Sequence, residues 1–118
     1  MSYENLYVHQ LEAFLQQPNV IVIDIRDIHS YKEAHIKGAL HIDGPTMGNL
    51  IRQRKNNPHV LVYCYHGRSS RDISKMIVDF GFSNVSHLVG GWEAWANHKI
   101  LNEKDQTEYH SEFSTAFA

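Results

Sequence analysis

The chain has one cysteine, Cys64, which excludes a disulfide within it. It contains no Cys-x-x-Cys and no His-Glu-x-x-His, so its nine histidines come without the spacing of a dedicated metal site. No cofactor and no metal are expected. No apolar run approaches the ~20 residues that cross a bilayer, so no membrane partner is expected. The net charge of −2 gives no support for nucleic acid as a partner. Met1-Ser2-Tyr3-Glu4-Asn5 lacks a basic region followed by an apolar stretch. No signal peptide is visible there, and cytoplasm is the expected compartment. There is no internal repeat and no low-complexity tract. What is present is 118 residues, 42% of them hydrophobic and 20% charged, which suits one compact domain with a modest core.

The most informative stretch is Val60-Leu61-Val62-Tyr63-Cys64-Tyr65-His66-Gly67-Arg68-Ser69-Ser70. A short apolar run leads through the cysteine to a glycine turn and then to two serines. Ile73, Met76, Ile77 and Phe80 follow at i, i+3, i+4 and i+7, one face of a helix. Gly81 stands where that helix needs a left-handed terminating residue. Cys64 therefore falls between the end of a buried strand and the start of a helix.

The first N–H groups of a helix have no partner inside it and carry the positive end of its dipole. Successive N–H groups in the preceding turn add to this and form an anion-binding nest. A thiol aimed into such a nest ionises more readily, and the thiolate is the nucleophile. A lone cysteine is more often a buried, inert side chain. The order strand, Cys, Gly, Ser, helix favours the nucleophile.

Cys64-Tyr65-His66-Gly67-Arg68-Ser69-Ser70 resembles the active-site loop of single-domain rhodaneses, the thiosulfate sulfurtransferases. It is most similar to the GlpE type, whose loop reads Cys-Tyr-His-Gly-Asn-Ser-Ser, with Arg68 replacing the asparagine. Two further blocks resemble the same family. One is Asp24 and Arg26, then Tyr31, then His35-Ile36-Lys37-Gly38-Ala39; the other is Gly90-Gly91-Trp92-Glu93-Ala94-Trp95. The resemblance runs from about Leu6 to Lys99.

Between these blocks the chain alternates helix and strand patterns. Leu11, Phe14 and Leu15 share a helical face, predicting a helix over 9–17 that ends before Pro18. Val20-Ile21-Val22-Ile23 reads as a strand covered on both faces. A short helix is expected from Asp27, and a turn and short strand over 35–42. Gly44-Pro45 reads as a turn, with Met47, Leu50 and Ile51 on a short helix after it. Asn56-Asn57-Pro58 is a turn before the central strand, and 85–89 is a further strand. Asp24 and Arg26 read as an ion pair fastening a strand end, His35 as a hydrogen-bonded structural histidine, and Trp92 and Trp95 as core packing. The alternation predicts an α/β fold: a single rhodanese-like domain over 1–100, with a largely parallel central sheet flanked by helices on both faces. Residues 101–118 read as a C-terminal extension, docked or partly disordered, with Tyr109, Phe113 and Phe117 at i, i+4 and i+8.

The resemblance implies that Cys64 attacks the outer sulfur of thiosulfate and carries a persulfide. A thiophilic acceptor, cyanide or a cellular thiol such as thioredoxin, then removes the sulfur. Amides from Tyr65, His66, Gly67, Arg68, Ser69 and Ser70 are the expected binding groups. Arg68 has two readings, a cation that draws thiosulfate to the loop or a solvent-facing side chain whose backbone N–H does the work. His66 reads as a rim residue, and Ser69 as a helix cap facing Asp72. The alternatives are a persulfide carrier fed by a partner protein and a non-catalytic rhodanese-like binding module. A phosphatase or arsenate reductase loop, Cys-x5-Arg, is disfavoured. Ser70 holds the arginine's place and Arg71 comes one residue late, a rotation of ~100° in a helix.

Overall fold

The computed structural model describes residues 2–106, with side chains as far as Leu101. Along the chain run β1 (Glu4–Leu6), α1 (Val8–Leu15), β2 (Val20–Asp24), α2 (Ile28–Glu33), β3 (Leu40–His41), α3 (Gly44–Gln53), β4 (His59–Tyr63), α4 (Ser69–Asp79), β5 (Asn84–Leu88) and α5 (Gly91–Gln106). The five strands form one sheet in the order β1-β5-β4-β2-β3, and every pairing is parallel. β4 lies at the centre, with Val60, Leu61, Val62 and Tyr63 all fully buried. This is why its sequence is an unbroken apolar run: both faces are covered.

Two clusters fill the two sides of the sheet. On one side Leu61, Tyr63, Val22 and Leu88 meet Leu11 and Phe14 of α1 and Trp95 of α5. On the other, Val60, Val62, Ile23 and Val85 meet Leu50 of α3 and Ile77 of α4. Strand side chains alternate sides, so Val60, Val62 and the next position in phase, Cys64, share the α4 side.

The α/β reading holds, and several local readings are sharpened or corrected. Gly44-Pro45 is the first turn of α3, not a free turn. Asp43 caps that helix by accepting from the Thr46 N–H at 2.7 Å, and proline costs nothing where no N–H is needed. Asp27 caps α2 in the same way, accepting from Ser30 N–H at 3.0 Å. Gly81 takes φ +101°, as a helix terminator should. β1 was not legible: Glu4-Asn5-Leu6 lacks any β-branched residue and is ordered by pairing with β5. Helix α5 continues without a break past residue 100 to Gln106, across the boundary expected between domain and extension. The stripe of Tyr109, Phe113 and Phe117 lies outside the described residues.

Candidate active site

β4 ends at Tyr63 and α4 begins at Ser69, so Cys64 opens a short loop beyond the carboxyl end of the central strand. In open α/β sheets this is where ligands bind. The loop curls around the sulfur. Gly67 N–H donates to Cys64 Sγ at 3.1 Å and Ser70 N–H at 3.4 Å, and Ser70 Oγ lies 3.4 Å away. Cys64 is 7% exposed, so the thiol is largely enclosed. Burial pushes the thiol up. The hydroxyl and amide of Ser70 and the amides of Gly67 and His66 outweigh it, and the group lies below its ordinary value.

The expected cap at Ser69 is not formed. Arg68 is the N-cap residue, without a side-chain cap, and Ser69 is the first residue inside α4. The sulfur itself takes the amide that a capping oxygen would otherwise accept. This is the physical reason that neither Ser69 nor Asp72 is needed for a capping box.

Two glycine contacts close the loop onto the start of α5. Gly67 has φ +87°, and a Cβ there would stand 2.8 Å from Gly90 N. Gly91 has φ +61°, and a Cβ there would stand 2.4 Å from the Cys64 carbonyl oxygen. Only glycine permits this approach. The first free N–H groups of α5 then serve the loop: Trp92 N–H donates to Cys64 O at 2.8 Å and Glu93 N–H to Tyr65 O at 3.0 Å. With its carbonyls drawn to α5, the loop turns its amides toward the sulfur.

Residues 7–98 match the family model described as Rhodanese-like domain. The chain belongs to the rhodanese-like domain family. It is 36% identical over 94 residues to thiosulfate sulfurtransferase GlpE of Tolumonas auensis, covering 80% of this chain and 89% of that one. It is 37% identical over 101 residues to the GlpE enzyme of Coxiella burnetii, covering 84% and 94%. The fold is similar to a crystal structure of a thiosulfate sulfurtransferase from Pseudomonas aeruginosa, with TM-score 0.69 and 19% identity. That match spans 82% of this chain and 18% of the other.

The rhodanese motifs outside the loop support it from below. Arg26 is buried, paired with Asp24 at 2.8 Å, and donates to Ala34 O at 2.6 Å, so the pair fastens a strand end as expected. Its guanidinium lies 4.4 Å from the ring of Trp92 and 5.3 Å from that of Tyr65. Burial works against this charge, but Asp24 prevails and the guanidinium holds its proton more tightly than usual. Ser30 Oγ gives its proton to Asp27, so the Tyr65 hydroxyl, 2.5 Å away, donates to Ser30. His35 Nδ1 lies 2.7 Å from Tyr31 O, in keeping with a structural role. Trp95 is core, whereas Trp92 is half-buried and covers Arg26 beside the loop.

The candidate residues divide by position. Cys64, Gly67 and Ser70 are buried together around the sulfur. Tyr65, His66, Arg68 and Ser69 are exposed on the rim. His66 Nδ1 is 3.3 Å from Glu93 Oε1, and both side chains are more than half exposed, so this pair holds little. Sequence reasoning missed one neighbour. His87 of β5 is buried, with Nδ1 3.1 Å from Ser70 Oγ. A histidine inside the short strand Val85-Ser86-His87-Leu88-Val89 was the available signal. Among the described residues no group of three or more His, Cys, Asp or Glu is placed to hold a metal, and no helix is long and apolar enough to cross a membrane.

Proposed function

We propose that this protein is a sulfurtransferase that carries sulfane sulfur as a persulfide on Cys64. The single observation that carries this reading is the convergence of the Gly67 and Ser70 amides and the Ser70 hydroxyl on one sulfur atom. The name shared by the GlpE relatives supports sulfurtransferase activity in general and thiosulfate as the donor.

The thiolate attacks the outer sulfur of thiosulfate. An S–S bond to Cys64 forms, the S–S bond of thiosulfate breaks, and sulfite leaves with the bonding pair. Cyanide or a cellular thiol, thioredoxin being one, then attacks the terminal sulfur and releases the Cys64 thiolate. The chemistry is double displacement, and ping-pong kinetics are its mark. No second cysteine is needed, because the acceptor brings the second nucleophile. Fixed amides around the sulfur compensate the charge of both thiolate and persulfide without reorganising. Arg68, exposed beside Arg71 at the mouth of the loop, draws the dianion toward it. Ser70 occupies the place where a Cys-x5-Arg loop keeps its arginine and faces the sulfur, which argues against phosphate chemistry.

Intact mass after incubation with thiosulfate tests the reading. One added sulfur is expected, absent from Cys64→Ala and removed by cyanide with release of thiocyanate. Failure of the wild-type protein to take up sulfur overturns it.

A further inference from the structure

Ser70 touches two groups at once. Its Oγ lies 3.4 Å from Cys64 Sγ and 3.1 Å from His87 Nδ1. All three are buried, with Ser70 fully so and His87 3% exposed. A hydroxyl has one proton to give. If His87 Nδ1 is bare, the Ser70 proton goes to it, and Ser70 Oγ can only accept from a Cys64 S–H. If Nδ1 carries a hydrogen, it donates to Ser70 Oγ, and the hydroxyl proton turns to the sulfur. The first arrangement suits a neutral thiol, and the second suits a thiolate or persulfide.

We propose that His87 is a positioning residue: its Nδ1–H donates to Ser70 Oγ and thereby directs the Ser70 hydroxyl at the anionic sulfur of Cys64. The proposal rests on the sulfurtransferase reading only for the identity of that anion.

The surroundings of His87 favour a neutral ring. Burial comes first and the nearby Arg71 cation second, and both disfavour the imidazolium, holding the group below its ordinary value. The ring also borders a groove of about 440 Å³ lined by Tyr3, Tyr7, His66, Arg68 and Arg71. Tyr3 packs edge-on to the imidazole at 5.2 Å. Within the sheet, the flanking strands place Asn5 and Val62 beside His87, neither of them charged. Among the described residues no carboxylate lines this groove, so none of them stabilises a second proton on the ring. A neutral imidazole whose hydrogen must go to one nitrogen is then a device for choosing the direction of the Ser70 bond. Hydrogen bonds to a charged acceptor are stronger than neutral ones, so an anion at Cys64 selects the Nδ1–H form.

Cys64 is the only thiol, so alkylation of the full-length protein by iodoacetamide reports on it alone. The rate is followed against pH in wild type, His87→Leu, His87→Asn, Ser70→Ala and the Ser70→Ala/His87→Leu double variant. His87→Leu should move the midpoint up by about one pH unit, a roughly tenfold loss of rate on the acid side. His87→Asn, whose amide N–H stands near the place of Nδ1–H, should recover most of that rate. In the Ser70→Ala background the His87 change should do nothing. A His87→Leu profile that overlays wild type, or a shift that survives Ser70→Ala, overturns the proposal. Nitrogen chemical shifts of His87 in the wild-type protein give a second measurement that needs no variant. After thiosulfate treatment they should report a protonated Nδ1, and a bare Nδ1 overturns the proposal as well. Absence of sulfur uptake would defeat the sulfurtransferase reading while leaving the alkylation profiles as they are, so the two failures are distinguishable.

Discussion

Gly91 abuts the carbonyl oxygen of Cys64 so closely that a single added methyl would stand 2.4 Å from it. Its φ of +61° adds strain for any other residue. Gly91→Ala should therefore cost ~2 kcal/mol or more, read as a lower urea midpoint at unchanged slope. It should also displace the Cys64 and Tyr65 carbonyls from the Trp92 and Glu93 amides. Loss of sulfur uptake beyond what the loss of folded protein accounts for is the check. Alanine tolerated at both levels would mean that the loop does not depend on this contact.

The buried triad of Asp24, Arg26 and Tyr63 gives a graded prediction. The Tyr63 hydroxyl donates to Asp24 Oδ2 at 2.5 Å and accepts from Ile36 N–H at 3.1 Å. Burial and then Asp24 push the phenol well above its ordinary value, so it stays a donor at every working pH. Tyr63→Phe leaves the Ile36 N–H without its partner, at a cost of ~1–3 kcal/mol. Asp24→Asn leaves the Arg26 charge buried and unpaired and should cost more, ~3–5 kcal/mol. Denaturant unfolding of the two variants should keep that order.

Arg68→Asn tests the rim. The arginine is exposed, so the urea midpoint should stay within about 0.5 kcal/mol of wild type. The Michaelis constant for thiosulfate should rise severalfold at low ionic strength with turnover nearly unchanged. The difference should shrink as salt screens the exposed charge. Equal constants at low salt would leave only the backbone N–H of residue 68 with a part to play.

Acid stability should depend on the two capping aspartates. Hydrogen bonds from Ser30 hold Asp27 below its ordinary value, and those from Thr46 do the same for Asp43. The folded state thus binds their protons less readily than the unfolded one. The stability they supply is fully present above the unfolded value near 4 and is lost as pH falls through the lower folded values. Asp27→Asn and Asp43→Asn keep a capping oxygen but cannot titrate. Each should flatten the fall of the thermal midpoint below pH 4, and an unchanged fall in the double variant would contradict the assignment.

How much of this was legible depended on whether a residue acts locally. The run Val20–Ile23 and the glycine at 81 are each decided by near neighbours, and the structure agrees with them. Of the expected face of α4, Ile77 is buried and Ile73 packs beside it, whereas Phe80 is exposed. The loop was legible because cysteine, glycine and serine stand at fixed short spacing. Ser69 misled because a serine before a helix is ordinarily its cap, whereas here a sulfur five residues earlier takes that role. The three residues of β1, the placement of Trp92 over Arg26, and His87 behind Ser70 all depend on pairing between distant segments. No window of sequence contains both halves of such a contact.

The pairing of β1 with β5 and the clasp of α5 on the loop carry a consequence for biosynthesis. β1 waits for β5, and the thiol waits for Gly91, Trp92 and Glu93 to leave the ribosome. Until then Cys64 is an ordinary thiol on a tethered, unfinished chain, with its ordinary reluctance to ionise. The setting that eases ionisation of Cys64 thus forms only after the segment carrying Gly91, Trp92 and Glu93 has been made.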